Sequence, residues 1–323
     1  LKFTNKEYRK WIGKHSDTVE DKMSNRLFND INYSSVPGGA MRRYGKSFQR
    51  NDGTRFDDWK NDKTTKASVS ASYPHEIMLV AHQGDDNLAE KMWGNLEDFV
   101  KPGENILPMI DVSGSMCGLP MEVAISLGLY LSERNKGSFK DTFLTFNDVP
   151  ELIKLSNLHL QDKLTKISNS SWGMNTNFEK SYNLILDTAT SFNVSQEDMP
   201  TMLLVLSDMQ FDASQNGRNR PHLELIRKRF ERAGYTMPKL VFWNLRDSIY
   251  NGSPAQSGDD GVAMVSGFSP VLMKAILECD DFNPMDMMME SLKEIQVDCT
   301  NLPNSLDIIY ESEDDMWDDD LPF

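Results

Sequence analysis

Cysteine is scarce in this chain: three in 323 residues, at Cys117, Cys279 and Cys299. Three scattered thiols cannot build a disulfide framework, which points to a reducing compartment and hence to the cytoplasm. Histidine is thin as well. His15, His75, His82, His159 and His222 form no His-x-x-x-His pair and lie near no cysteine, which argues against zinc. No run of about 18 apolar residues exists, so no membrane span is expected. No secretory pattern opens the chain. Basic residues are missing where acids are densest: 307–323 holds eight acids and no Lys or Arg.

What is present is ordinary in kind. Hydrophobic residues make up 39% and charged residues 26%, the mix of a globular protein long enough to bury a real core. The net charge of −15 repels nucleic-acid phosphate overall. Residues 1–66 are the exception, with 15 Lys or Arg against 9 Asp or Glu.

Periodicity divides the chain. Thr4-Asn-Lys-Glu7 fits a capping box, followed by Tyr8, Trp11 and Ile12 at helical spacing. Met41, Tyr44 and Phe48 stripe a second short helix; Phe56 and Trp59 mark a third. Val36-Pro-Gly-Gly39 reads as a turn, and the small polar residues of 61–72 as a linker. Helical spacing returns over 74–100 through Ile77, Val80, Leu88, Met92, Leu96 and Phe99. From residue 104 short apolar runs alternate with amphipathic stretches. Strands are expected at 106–110, 139–146, 151–155, 202–206, 240–243 and 262–265. Helices are expected at 121–133, around 178–189 and 223–230, and at 270–278. That alternation implies a doubly wound, mostly parallel α/β sheet covered on both faces. The expected division is a helical segment over 1–100, basic as far as residue 66, an α/β domain over 101–282, and a tail over 283–323. The tail is Met-rich (Met285, Met288, Met289), then acidic.

In such sheets ligands bind beyond the carboxyl ends of the strands. Three segments bring oxygen donors to that edge: Asp111-x-Ser113-x-Ser115 after the first strand, Thr176 in the loop Trp172-Gly-Met-Asn-Thr176, and Asp208 after Leu203–Leu206. Carboxylates and hydroxyls are hard ligands that suit Mg2+, Mn2+ or Ca2+. Two carboxylates among three hydroxyls leave the metal electrophilic and in want of an outside anion. Asp212 reads as a helix cap and Cys117 as a small packing residue. Met116, Leu119, Trp172, Met174 and Met209 lie beside the donors in sequence, and form a candidate apolar contact patch for a protein partner.

Asp-Val-Ser-Gly-Ser, the Asn-Thr loop and Leu-Ser-Asp resemble the metal-ion-dependent adhesion site of von Willebrand A domains. The resemblance implies direct ligation by Ser113 and Ser115. It implies direct ligation by Thr176 in a high-affinity state, and ligation mostly through water by Asp111 and Asp208. Met174-Asn-Thr-Asn177, Leu206-Ser-Asp-Met-Gln-Phe-Asp212, Val241-Phe-Trp-Asn-Leu-Arg-Asp247, Val265-Ser-Gly-Phe268 and Tyr73-Pro-His-Glu76 resemble a further family, found in plants, fungi and large DNA viruses. A viral source would allow residence in a virion. A more distant similarity is to the Ro ribonucleoprotein, in which a helical RNA-binding ring precedes an A domain. The residues ahead of 101 are too few for a complete ring.

Other readings weigh less. A haloacid-dehalogenase-type phosphatase needs a second Asp two positions after its nucleophile, and Ser113 stands there. No Ser-His-Asp order, phosphate-binding glycine loop or Cys-His pair stands out, so no enzyme is expected. The expected function is a non-catalytic, divalent-metal-dependent protein-interaction module in which a partner Asp or Glu completes the coordination. One alternative is a ribonucleoprotein component binding RNA weakly through Arg42, Arg43, Lys46 and Arg50, with Arg55 on phosphate and Tyr44, Phe48 or Trp59 stacking on bases. Another is a structural subunit of a larger assembly with an architectural metal.

Overall fold

The computed structural model describes residues 4–7, 11, 17–69, 72–171, 173, 176–208, 223–246 and 262–267. Its strands are β1 (Ile106–Ile110), β2 (Thr142–Thr145), β3 (Leu152–Lys154), β4 (Met202–Ser207), β5 (Lys239–Asn244) and β6 (Val262–Ser266). They form one sheet in the order β3-β2-β1-β4-β5-β6, parallel except for β3, which runs antiparallel to β2. This is the doubly wound arrangement that the alternating pattern implies.

Period-two alternation explains how both faces are covered. Ile106 and Ile110 of β1 join Leu204 and Leu206 of β4 and Val241 and Trp243 of β5 in one core. Leu107 and Met109 join Leu203, Val205 and Phe242 in the other. The second face is closed by α7 (Phe178–Ser191) and α8 (Leu223–Arg232) through Phe178, Tyr182, Ile185, Ile226 and Phe230.

On the first face lies α5 (Leu119–Arg134), buried at every position from Val123 to Ser132. A helix apolar on all sides must be covered on all sides. The sheet takes one side, and Gly128 allows the approach: a Cβ there would stand 2.3 Å from Ile110 Cδ1. The helices ahead of the sheet and α6 (Leu160–Ser168) take the rest.

Those leading helices are α1 (Val19–Ser24), α2 (Gly38–Asn61), α3 (Pro74–His82) and α4 (Asp86–Gly94). They share one core with the sheet: Ile77, Leu88, Met92 and Trp93 cluster with Val123, Leu127, Leu131, Leu160 and Leu164. Polar ties cross the same boundary. Trp93 Nε1 donates to Glu133 Oε2 at 2.7 Å, and Tyr130 Oη donates to the Glu97 carbonyl at 2.7 Å.

Several local expectations are corrected. The two short helices read at 41–48 and 56–59 are one element, α2, broken at Asp52, whose φ of −148° and ψ of 41° leave the helical region. Asp52 is held there by Tyr33 Oη and Arg55 Nε, each at 2.7 Å. The helical stretch expected over 74–100 divides into α3 and α4 at Gly84, whose φ of +86° an L side chain rarely adopts. The stretch read as a linker is anchored: Lys91 Nζ donates to the Asp62 carbonyl and Thr65 Oγ1, and Ala67 and Val69 are buried. The capping box holds, with Thr4 N–H donating to Glu7 Oε2 at 3.0 Å and Glu7 N–H to Thr4 Oγ1 at 3.3 Å. Tyr8, Ile12, Asp212, the helix expected at 270–278 and the tail lie outside the described residues.

Candidate metal centre

The chain leaves β1 for one side of the sheet and reaches β4 on the other, so the crevice opens between their carboxyl ends. Asp111 continues the ladder past β1: its N–H donates to the Leu206 carbonyl at 3.0 Å. Its Oδ1 accepts the Ser113 N–H at 2.9 Å, which folds the loop back. A short 3-10 turn over Gly114–Met116 then brings the Ser113 and Ser115 hydroxyl oxygens to 3.1 Å. Asp111 Oδ2 accepts the Ser207 hydroxyl at 2.7 Å, which ties the end of β4 to the loop. Asp208 follows Ser207 and is only 1% exposed.

Burial raises the Asp111 carboxyl above the ordinary carboxylate range. Its hydrogen bonds to Ser207 and Ser113 oppose that shift, and the charge of Asp208 adds to it. Two acids therefore share one electronegative crevice. Its described positive neighbour is Arg246. Leu245 N–H donates to the Ser207 carbonyl at 3.0 Å, so the segment after β5 runs beside the end of β4. Arg246 Nη1 then donates to the Ser115 carbonyl at 2.7 Å and lies 3.5 Å from Asp208 Oδ2.

Thr176 is buried at the same edge, but its hydroxyl is engaged by the protein. It donates to the Asn147 carbonyl at 3.2 Å and approaches Met109 Sδ at 3.8 Å. Direct ligation by Thr176 would require that bond to be given up.

The donors fit a small hard cation. Adjacent oxygens of an octahedron with Mg2+–oxygen bonds of about 2.0–2.1 Å stand about 2.9 Å apart, and longer bonds widen this. The hydroxyl pair at 3.1 Å matches that spacing. Among the described residues no cluster of three His, Cys, Asp or Glu could hold a metal, so a cation at this edge would depend on hydroxyl oxygens.

The apolar patch is corrected in part. Met116 is fully buried in the core that α5 closes, because the 3-10 turn directs it inward, and it presents no contact surface. Leu119 is 44% exposed beside the loop. Trp172, Met174 and Met209 lie outside the described residues. Cys117 is an exposed free thiol, not the packing residue expected.

The basic face of α2 is corrected as well. Arg42 is paired with Glu76 at 2.5 Å and is not free for phosphate. Glu76 also accepts the Tyr73 N–H at 3.1 Å, so Tyr73-Pro-His-Glu76 latches the start of α3 to α2. Phe48 and Trp59 are buried in an aromatic cluster with Tyr33 and Phe56, closed to bases. Arg55 caps carbonyls of Phe28 and Ile31. Arg43, Lys46 and Arg50 are exposed.

Sequence reasoning passed over Ser207 and Arg246 as members of the site. Ser207 was legible as the residue before a strand-end Asp. Arg246 was legible as the base two residues past a neighbouring strand, in a motif quoted only for its resemblance.

Comparison with known proteins gives a consistent frame. A family model described as "Domain of unknown function (DUF7788)" matches residues 105–308, and one described as "Domain of unknown function (DUF2828)" matches residues 1–101. "Uncharacterized protein L728" of Acanthamoeba polyphaga mimivirus is 30% identical over 314 residues, covering 90% of this chain and 55% of the viral protein. The chain thus spans little more than half of that relative. Among solved structures, the Deinococcus radiodurans RO (RSR) protein aligns with 86% of this chain and 49% of its own, at 16% identity and a TM-score of 0.39. An overlap at that level assigns neither fold nor function.

Proposed function

This chain belongs to the DUF7788 family, and from the chemistry of its strand-end crevice we propose that it is a non-catalytic, divalent-cation-dependent protein-interaction module. The cation is Mg2+ or its hard relatives Mn2+ and Ca2+, and a partner protein supplies an Asp or Glu carboxylate to it. The observation that carries this reading is the hydroxyl pair of Ser113 and Ser115 at 3.1 Å, on a loop pinned by Asp111 and flanked by buried Asp208.

Each residue has a part. Ser113 and Ser115 offer neutral oxygens. Asp111 and Asp208 balance positive charge from beneath. Ser207 fixes Asp111 through its hydroxyl. Thr176 stands by at the same edge, available if its bond to Asn147 is exchanged. When bound, the cation supplies Lewis acidity toward an anionic oxygen. Both Asp111 oxygens accept hydrogen bonds, which suits orientation rather than proton abstraction and supports binding over turnover. Leu119 supplies exposed apolar area at the rim. A free exposed Cys117 suits a reducing compartment such as the cytoplasm.

The test is recovery of bound proteins on the immobilised chain in Mg2+ and in chelator, with Ser113→Ala checked for folding by circular dichroism. Proteins retained in Mg2+ and lost both in chelator and with Ser113→Ala support the reading. Undiminished recovery in chelator overturns it.

A further inference from the structure

Arg246 sits beside the oxygen donors of the strand-end crevice. Nη1 is fixed at both ends of the crevice, by the Ser115 carbonyl at 2.7 Å and by Asp208 Oδ2 at 3.5 Å. The side chain is 44% exposed, and its contacts with Ser115 and Asp208 both run through Nη1. A guanidinium presents its donors as a planar fork that matches a carboxylate in two parallel hydrogen bonds. The outward edge of Arg246 has that geometry to offer.

Charge balance gives the fork a purpose. Among the described residues, Asp111 and Asp208 outweigh Arg246 when no cation is bound, a balance that draws cations and repels anions. A divalent cation neutralises the two acids and leaves the charge of Arg246 in excess. A single carboxylate then balances the site. Resting on the metal-dependent reading above, we infer that Arg246 is a specificity-determining residue that weakens the hold on the cation and reads the partner's carboxylate beside it.

Two effects of opposite sign follow. Arg246 repels a cation approaching Ser115 and Asp208, so its removal tightens cation binding. Arg246 attracts the incoming carboxylate, so its removal weakens carboxylate binding. A residue that merely braced the Ser115 loop would, on removal, weaken both.

The experiment uses the full chain and two defined probes, Mn2+ alone and acetate. Mn2+ affinity is measured by titration, and acetate affinity for the Mn2+-loaded protein by solvent-proton relaxation. The guanidinium is part exposed and screened, so each effect of Arg246→Ala is expected at roughly threefold: tighter for Mn2+, weaker for acetate. Arg246→Lys keeps the charge without the fork, so it should bind Mn2+ as the parent does and acetate only in part better than Arg246→Ala. Changes in the same direction for both probes, or no change in either, overturn the inference while leaving the metal site in place. Failure of the parent protein to bind Mn2+ overturns the metal reading itself, and the inference with it.

Discussion

The Ser207 hydroxyl donates to Asp111 Oδ2 across 2.7 Å, joining the end of β4 to the loop after β1 at the switch point of the sheet. Both residues are buried, so this bond sets the orientation of the carboxylate without help from bulk water. Ser207→Ala leaves one carboxylate oxygen short of a buried donor. Its expected cost is about 1–3 kcal/mol. Urea denaturation in chelator measures it, and an unchanged midpoint would show that Ser207 does not hold Asp111.

Gly128 permits contact between α5 and β1. A Cβ there would stand 2.3 Å from Ile110 Cδ1 and 2.6 Å from Cγ1. Gly128→Ala is expected to destabilise by about 1–3 kcal/mol through overpacking. Ile110→Val deletes the nearest atom, so the double variant should recover part of that loss. Strictly additive costs in the double variant would contradict the contact.

His75 lies in the latch between α2 and α3. Burial lowers its pKa; Glu76 opposes this and Arg42 adds to it. A depressed folded-state value means that the unfolded chain takes the proton more readily. The stabilising contribution is therefore full above the unfolded value, about 6.5, and is lost as pH falls from there through the lower folded-state value. Thermal unfolding should show the parent losing more Tm between neutral and mildly acidic pH than His75→Gln. Parallel pH profiles for the two would rule the latch histidine out.

The exposed base stripe Arg43, Lys46 and Arg50 keeps one of the three expected aromatics beside it, half-buried Tyr44 under the Arg43 guanidinium, since Phe48 and Trp59 are inside. Any RNA binding should be weak and collapse as salt rises from about 50 to about 200 mM. Fluorescence anisotropy with single-stranded RNA reads this directly. Tight binding that survives the higher salt and vanishes in the triple alanine variant would instead favour a ribonucleoprotein role.

The strand ends were legible because β1 and β4 are continuous apolar runs closed by Asp111 and Ser207-Asp208, and a parallel sheet leaves such residues at one edge. The inward turn of Met116 was not legible. A methionine next to a polar loop reads as surface until the 3-10 turn fixes its direction. The union of the leading helices with the sheet was hinted at in α5, whose apolar residues run all round with Ser126 and Ser132 buried among them. Those serines satisfy themselves on backbone carbonyls of their own helix, so their polarity did not mark a solvent face. Arg42 was misread because a charge at the edge of an apolar stripe looks solvated until its partner, more than thirty residues later, is known.

The central claim is that Asp111, Ser113, Ser115 and Asp208 bind a divalent cation. Titration of Mn2+ into the full chain, followed by electron paramagnetic resonance of the free ion, tests it most directly. The account predicts one saturable site in the parent protein, competed by Mg2+ and abolished by both Asp111→Asn and Ser113→Ala with the fold intact. Absence of a saturable site, or a site that survives both substitutions, would contradict it.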